Sequence, residues 1–429
     1  MNMLVKIFFI INLIHKIQSF CPVHLTISSN SSSLKDATLV ASWDPNCPDL
    51  PSTVKIYSEN PYLKETPAIG EFIPKKFKTG QIDTKINLEN LELPSKWSLK
   101  SYQESQPVPI DTRDGICLNY YALSFNKSNH VTSFDCLKIN PQWMSNTKEF
   151  WLFPLKELII PGSKCSGCYS TERNSRRLHL KPESFHQNLD IWHQLVFGVR
   201  YLEFSVGYFR SFHKSLDIRS RFWIFNEEHE VSPIFPVLED ILKFAEISNE
   251  ILILDFMNFS YGFHESSGAH DIFKKLLQNM FGHIAVMNNG RKSCDFTIQK
   301  MKSLSKNVII LYNYEDLTVK SEQNETVLWP AWKRSEMKTD ENVAKVIRTV
   351  MSTKYGTDNN DGWILSAKYA KGNTDNINSF MLSTLTGPWN TKMNVISLDY
   401  VFSTNLIDIS LSVNHQKALS KQNFIVIDL

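Results

Sequence analysis

Polar residues directly follow short apolar runs at several points along this 429-residue chain. In chain order these residues are Ser163, Lys164, Cys165, Cys168, Glu203, Ser205, Asn226, Asp255, Lys368 and Asp399. The carboxyl ends of parallel strands meet at one edge of a sheet, so these side chains would gather at a single face. A lysine there can attract an anion, but it accepts a proton only after burial lowers its pKa by several units. Asn226 has no titrating group and can only orient or hydrogen-bond a ligand.

Cys165 and Cys168 form a C-x-x-C pair, a spacing found in redox sites and in half of a zinc site. No second pair with ligand spacing accompanies them, so zinc is not predicted. We predict a structural disulfide, either between the two or with Cys294. A thiol nucleophile is the alternative.

Four histidines lie close enough in sequence to be considered as acids or bases. His229 stands three residues after Asn226. Placing it at the strand end would push Glu227 and Glu228 into an apolar strand, which is costly. His186, His193 and His213 are predicted to be surface or helix-packing residues.

From about residue 143 to residue 429, compact apolar runs alternate with helical patterns. The predicted strands include Leu158–Ile160, Val199–Leu202, Phe222–Phe225, Ile251–Leu254, Asn307–Tyr312, Trp363–Leu365 and Val395–Leu398. Helices are predicted over Pro233–Ile247 (with Ser232 as N-cap), Asp271–Met280 and Asn342–Met351. Strands that are apolar throughout and alternate with helices predict an α/β fold with a parallel sheet, here a TIM-like barrel.

Residues 21–142 have a different sequence pattern, in which short runs of alternating apolar and polar residues are separated by turn residues. This pattern predicts a small all-β, sandwich-like accessory domain before the barrel. A Cys117–Cys136 disulfide across neighbouring strands is predicted, with Cys21–Cys47 as a second pair. Cysteine spacing alone leaves the connectivity open.

The first twenty residues indicate the compartment. Residues 1–20 contain an apolar run, Ile7–Ile14, that is too short to span a bilayer and is typical of a signal peptide. A buried N-terminal strand is the alternative. Sequons at Asn30, Asn126, Asn258 and Asn324 are consistent with glycosylation in the secretory pathway. We therefore predict a secreted or extracellular protein in which disulfides are permitted.

Composition excludes some classes of function. With 46 Lys+Arg against 44 Asp+Glu the formal net charge is +2, which provides no basic field for nucleic acid. The chain has only 15 glycines and no glycine-rich phosphate loop of the G-x-x-x-x-G-K or G-x-G-x-x-G type. Any attraction to a membrane would have to be local rather than global.

Four motifs in order resemble the phosphatidylinositol-specific phospholipase C X-domain family, and more closely its small X-domain-containing members. The matching segments are Ile160–Ser163, Gln194–Glu203, Glu250–Phe256 and Asn394–Tyr400, followed by Asn414. The preceding β-rich region is similar to the extension of secreted, arthropod-type members. The resemblance implies a barrel that cleaves the phosphodiester between a lipid glycerol and an inositol headgroup. In the family, two histidines transfer the protons, and an arginine or calcium stabilises the phosphate charge.

This sequence departs from the family at the positions that carry the chemistry. Lys164 and Asn226 occupy the two histidine positions, and Ser205 occupies the arginine position. Glu203 and Asp399 retain family carboxylates, and Lys164 and Asp399 are predicted to form an ion pair in a vacant barrel mouth. Ser163, Ser205, Asp255 and Lys368 are predicted on the substrate side, although a solvated surface lysine is the alternative for Lys368. No metal or other cofactor is predicted; calcium is a family possibility that these residues do not support.

Three functions follow from these positions. The first is a secreted phospholipase C-like protein without catalytic histidines, which binds a phosphorylated headgroup, an inositol phospholipid or a protein partner, with peripheral membrane contact. The second is an active phosphodiesterase that uses an atypical set such as Lys164, Glu203 and His229. The third is an interaction protein that acts through the β-domain, with the barrel as scaffold.

Overall fold

The computed structural model describes residues 21–29, 37–89, 91–95, 115–171, 174, 180, 184–209, 217–226, 229–264, 268–314, 326–337, 361–367 and 393–427. The predicted leader, the predicted helix at 342–351, and Asn30, His213, Asn324 and Lys368 lie outside these residues.

Two small antiparallel sheets form the first part of the chain. Their strands are β1 (His24–Ile27), β2 (Thr38–Ser42), β3 (Thr53–Tyr57), β4 (Gly70–Phe72), β5 (Gln81–Asn87), β6 (Ile116–Phe125) and β7 (Val131–Ile139). One sheet has the order β1-β2-β5 and the other β4-β3-β6-β7. Side chains along β3 point alternately to the two faces of its sheet. Val54 and Ile56 are therefore fully buried, while their neighbours in the strand are partly exposed.

The disulfides agree with the sequence prediction. Cys21 is joined to Cys47, and Cys117 on β6 is joined to Cys136 on β7. The C-x-x-C pair closes on itself as Cys165–Cys168, one of the two predicted pairings. Cys294 remains as a buried thiol, and burial raises its pKa.

A large, mostly parallel sheet forms the second part. Its strands are β8 (Ile160–Ser163), β9 (Tyr201–Tyr208), β10 (Phe222–Asn226), β11 (His229–Pro233), β12 (Leu252–Phe259), β13 (Val308–Tyr312), β14 (Leu328–Trp329), β15 (Lys333–Met337), β16 (Trp363–Ala367) and β17 (Val395–Leu398). The main path runs β14-β13-β12-β9-β8-β17-β16-β15. The two edge strands of this path, β14 and β15, are joined by only three residues, so the edges lie close together and the sheet curls back on itself. Among the described residues no ladder joins β14 to β15, so the TIM-like barrel that the sequence predicts is curled but not closed.

The predicted third barrel strand is wrong. Phe222–Asn226 pairs antiparallel with the end of β9 and forms a hairpin with β11, off the main path. Its four apolar residues are buried, and an apolar run does not distinguish a barrel strand from a buried hairpin. Two strands of the main path, β14 and β15, were not predicted from the sequence. β14 is very short, and β15 reads Lys-Arg-Ser-Glu-Met rather than apolar.

Six α-helices are described: α1 (Trp143–Asn146), α2 (Ile191–Phe197), α3 (Ile234–Ser248), α4 (Ala269–Phe281), α5 (Ile298–Ser303) and α6 (Leu406–Ile427). α3 and α4 confirm two predicted helices. The predicted cap of α3 is wrong, because Ser232 belongs to β11 and Pro233 takes the cap position without a side-chain cap. Within the described residues, no helix is both long enough and apolar enough to cross a membrane.

A buried ion pair fastens the amino ends of two barrel strands. Arg200 precedes β9 and Glu250 precedes β12, and their side chains meet at 2.6 Å with neither accessible to solvent. Arg200 also donates to the carbonyl oxygens of Leu195, Val199 and Asn140. Burial lowers the pKa of Arg200, and the Glu250 carboxylate counteracts this effect.

Candidate functional site

The interior of the curled sheet holds a charged network rather than apolar side chains alone. Arg334 on β15 donates from Nη1 to Glu203 Oε2 on β9 and from Nη2 to Asp255 Oδ2 on β12, both at 2.6 Å. β15 and β9 are four strands apart along the sheet, so this contact crosses the interior. The side chains are 16%, 4% and 2% exposed, respectively.

Hydroxyl groups complete this network. Arg334 Nη2 also donates to the Tyr201 hydroxyl at 2.7 Å, and that hydroxyl donates to Asp255 Oδ2. Ser397 and Ser366 donate to Glu203 Oε2 at 3.3 and 3.4 Å. Asp255 Oδ1 is buried, and among the described residues it has no hydrogen-bond partner. One carboxylate oxygen in the interior is thus left to accept a further donor.

Electrostatics favour the charged form of the arginine. Burial opposes it, but the carboxylates of Glu203 and Asp255 raise the pKa of Arg334. Burial raises the pKa of Asp255, and Arg334 offsets this only in part. Burial likewise raises the pKa of Tyr201, which stays protonated and can donate. Arg334 and Tyr201 were not predicted from the sequence as site residues. The only available signal was a basic residue in a polar run between apolar strands.

The segment 184–189 lies at the carboxyl ends of the strands and is buried throughout. Asn226 Nδ2 donates to the Ser184 carbonyl oxygen at 3.0 Å. Gln187 Nε2 donates to the carbonyl oxygens of Lys164 at 2.8 Å and Leu398 at 2.9 Å. This one segment therefore ties together the ends of β8, β10 and β17, where the sequence predicts Lys164, Asn226 and Asp399.

The partner of Asp399 differs from the prediction. Its Oδ1 lies 2.7 Å from His186 Nδ1, and both side chains are buried. The predicted Lys164–Asp399 ion pair is wrong, because the imidazole of His186 occupies the position beside this carboxylate. Lys164 is half-buried, and among the described residues no ion pair forms with its ammonium.

His186 was predicted to be a surface or helix-packing residue, and that prediction is wrong as well. Its residue exposure is 7%, and its backbone is held through Cys168 and Tyr400. Within the described part of the chain, no group hydrogen-bonds His186 Nε2, and this atom is not among the buried atoms that lack a partner. With Nδ1 held by Asp399, Nε2 is the nitrogen that remains open to solvent or a ligand.

The disulfide shapes the loop that carries this segment. Cys165 takes a left-handed backbone conformation with φ of 41°, and the Cys165–Cys168 bond closes the turn. The carbonyl oxygen of Cys168 accepts from the backbone N–H groups of His186 at 2.8 Å and Gln187 at 3.0 Å. The C-x-x-C pair thus has a structural role that positions His186.

The remaining predicted site residues lie as follows. Ser163 is fully buried, and its hydroxyl donates to Ser166 Oγ at 2.7 Å, so it holds the loop. Ser205 is half-buried, two residues beyond Glu203 on β9. His229 is exposed and stands opposite Asn226 in the β10–β11 hairpin. His193 lies 2.8 Å from Asp190 on the partly exposed side of α2.

One group of potential metal ligands lies away from the mouth, between the β-sheets and α6. It consists of His24, Asp135 and Asp408. Lys138 Nζ lies 3.0 Å from Asp135 and 3.6 Å from Asp408, so an ammonium already balances these carboxylates. Although burial opposes ionisation, Lys138 and His24 lower the pKa of Asp135, while burial raises the pKa of Asp408. The group links the two parts of the chain electrostatically.

Two of the four predicted glycosylation sites fall within the described residues. Asn126 and Asn258 are both exposed, as a glycan would require. Asn126 starts the turn between β6 and β7, and its Oδ1 accepts from the N–H groups of Ser128 and His130. Modification at these sites remains a prediction.

Comparison with known proteins gives distant similarity only. No family model matches the sequence, and no curated protein matches it. Among solved structures, the chain is similar to the phosphatidylinositol-specific phospholipase C of Staphylococcus aureus, in a structure from a study of its membrane binding. That match has TM-score 0.44 and 13% identity, and covers 63% of this chain and 97% of the other. A pentafluoro-phenylalanine form of the same enzyme matches at TM-score 0.43 and 14% identity, covering 63% and 97%. A double mutant matches at 0.44 and 14%, covering 64% and 96%.

Proposed function

We propose that this protein binds a phosphorylated polyol, of the phosphoinositol headgroup class, at the mouth of the curled sheet, without two-histidine acid–base catalysis. The carboxylates and guanidinium of the interior network would hydrogen-bond the polyol hydroxyls. Lys164 would supply the positive charge for the phosphate. The protein would act in the secretory lumen or outside the cell, as the leader pattern and the disulfides suggest.

The observation that carries the proposal is the interior network around Arg334. The centre of an eight-stranded barrel is ordinarily packed with branched apolar side chains. Here the interior holds four polar side chains in contact with one another, those of Tyr201, Glu203, Asp255 and Arg334. Apolar residues of similar volume often give a protein equal or greater stability than such a buried charged group. A set of paired charges and hydroxyls with one free carboxylate oxygen suits a polyhydroxylated ligand.

The phosphate part of the proposal depends on Lys164. It follows β8 directly, and among the described residues its ammonium forms no ion pair. Arg334, by contrast, is already paired with two carboxylates and has little charge left to offer an anion. The four motifs that resemble the phospholipase C X-domain family point to the same ligand class. The substitutions at Lys164, Asn226 and Ser205 argue against the family's usual catalysis.

Calorimetric titration of the whole protein with myo-inositol 1-phosphate tests this function. We expect Lys164→Met to weaken binding at least about tenfold, the loss of one charge-assisted contact of about 1.5–3 kcal/mol. Lys148→Met is the matched control, because Lys148 is an exposed lysine in a segment that precedes β8. Myo-inositol without phosphate should bind more weakly than the phosphate ester and should not distinguish Lys164→Met from the unaltered protein.

Two results would contradict the proposal. One is the absence of any binding heat when inositol 1-phosphate is titrated to millimolar concentration into the folded protein. The other is equal weakening by Lys164→Met and Lys148→Met, which would indicate a general charge effect rather than a site.

A further inference from the structure

We propose that His24, Asp135 and Asp408 form a zinc site that joins the first part of the chain to α6. The three residues lie on β1, β7 and α6, away from the mouth of the curled sheet. The proposal is therefore independent of the proposed function, and either can fail without the other. Because the three residues are far apart in the sequence, no ligand spacing marks them before the chain folds.

The first argument is the geometry of the three side chains. One potential ligand atom from each lies within 4.8 Å of those of the other two. His24 Nδ1 lies 3.7 Å from Asp135 Oδ2 and 4.0 Å from Asp408 Oδ2, distances too long for hydrogen bonds. This nitrogen is buried, and within the described part of the chain it has no hydrogen-bond partner. Zinc binds imidazole nitrogen and carboxylate oxygen at about 2.0–2.2 Å, so an ion between these atoms would satisfy all three.

The ammonium of Lys138 pairs with both carboxylates but leaves this position open. Lys138 Nζ lies 3.0 Å from Asp135 Oδ1 and 3.6 Å from Asp408 Oδ1, whereas His24 faces the Oδ2 atoms. Asp135 Oδ2 accepts one hydrogen bond from the Leu25 N–H, and a carboxylate oxygen has a second lone pair for a metal. When both carboxylates are ionised, one ammonium offsets only one of their two charges. The group therefore still attracts a further cation.

A small polar cavity beside these residues provides room for a fourth ligand. Its volume is about 30 Å³, and Thr26, Lys138 and Asp408 are among the residues that line it. Thr26 lies on the same face of β1 as His24, because side chains two residues apart share a face of a strand. Thr26 is 4% exposed, and among the described residues its buried hydroxyl has no hydrogen-bond partner. A cavity of this size holds one water, which could complete the zinc coordination and hydrogen-bond this hydroxyl.

The ligand set favours zinc over other common divalent ions. Calcium and magnesium prefer sites made of oxygen ligands alone, and an imidazole nitrogen is a poor ligand for both. Zinc accepts imidazole and carboxylate ligands together, with a water in the fourth position where the protein supplies three. An ion held in this way would cross-link β1, β7 and α6. It would add to the electrostatic contact that already joins the two parts of the chain.

Calorimetric titration of zinc chloride into the whole protein, free of any polyhistidine tag, tests the proposal. We expect one zinc ion per chain. His24→Gln and Asp408→Asn should each weaken zinc binding at least about tenfold, since even residues that only support a metal ligand typically contribute 10–100-fold to affinity. His283→Gln and Asp271→Asn are the matched controls, because both residues form ion pairs on the exposed surface. Calcium chloride should bind at least about tenfold more weakly than zinc chloride.

A melting experiment on the same proteins provides a second measurement. Zinc at about 100-fold above its Kd should raise the melting temperature of the unaltered protein by about 3 °C. Lys138→Met removes the ammonium that repels the ion, so this variant should bind zinc at least about threefold more tightly. Zinc should also restore part of the stability that Lys138→Met loses. A merely structural role for these residues would give neither effect.

Four results would overturn the proposal. The first is the absence of binding heat and of a melting shift when zinc is added to millimolar concentration to the folded protein. The second is an unchanged zinc affinity in folded His24→Gln or Asp408→Asn, which would place the ion elsewhere. The third is calcium binding as tight as zinc binding, and the fourth is weaker zinc binding by Lys138→Met. If one ligand variant does not fold, the other variant and Lys138→Met still decide the question.

Discussion

Glu250→Gln should lower the free energy of unfolding by about 3–5 kcal/mol, the usual cost of removing one partner from a buried ion pair. The glutamine is isosteric, so the loss comes from charge rather than from volume. Arg200 would remain fully buried beside a neutral amide. The backbone N–H groups of Met144 and Ser145, which now donate to Glu250, would also lose a charged acceptor.

Urea denaturation followed by circular dichroism measures this effect, with equal m-values required for the comparison. Glu59→Gln is the matched control, since Glu59 pairs with Lys64 on the exposed surface. Such a pair contributes about 0–1 kcal/mol. If the free energy of unfolding of Glu250→Gln lies within about 1 kcal/mol of that of the unaltered protein, the Arg200–Glu250 pair does not hold the amino ends of β9 and β12 together.

Arg334→Met should abolish headgroup binding and destabilise the protein, and the destabilisation should grow with pH. Methionine leaves Glu203 and Asp255 buried without their cation, at a cost of about 3–5 kcal/mol near neutral pH. The pKa of Asp255 is already raised by burial in the folded state. Removing the arginine that counteracts this effect raises it further.

The sign of the pH dependence follows from linkage. A carboxyl whose folded pKa is raised binds a proton more readily in the folded state than in the unfolded one. Its stabilising contribution is complete below the unfolded pKa of about 3.9 and is lost as pH rises through the folded pKa. Arg334→Met should therefore be closest in stability to the unaltered protein at about pH 4–5 and furthest from it at about pH 8.

Parallel denaturation at these pH values, with calorimetric titration of inositol 1-phosphate, measures both effects. Arg219→Met is the control, because Arg219 is an exposed arginine paired with Asp217. It should change neither binding nor the pH profile. If Arg334→Met binds the headgroup normally, the interior network is not part of the ligand site. A destabilisation that does not vary with pH would mean that Asp255 does not gain a proton when the cation is lost.

The sequence alone predicted the mixed α/β class, with antiparallel sheets followed by a mostly parallel sheet, and the disulfide pairs. Alternating runs before residue 142 predict the antiparallel sheets, and apolar runs after it predict the parallel sheet. The Cys117–Cys136 and Cys21–Cys47 disulfides are confirmed, although cysteine spacing alone left the connectivity open. These features depend on local periodicity and short-range pairing, which one chain displays directly.

Only the tertiary structure decided which polar groups meet. His186 reaches Asp399 across 213 positions because β8 pairs with β17 and the segment 184–189 lies at the carboxyl ends of these strands. Arg334 was missed because β15 is polar on the face that enters the charged interior, so no apolar run marked it as a strand. Apolar periodicity reports which residues are buried, but not which distant side chains converge. That depends on the curl of the sheet, which brings together strands that are not adjacent in the chain.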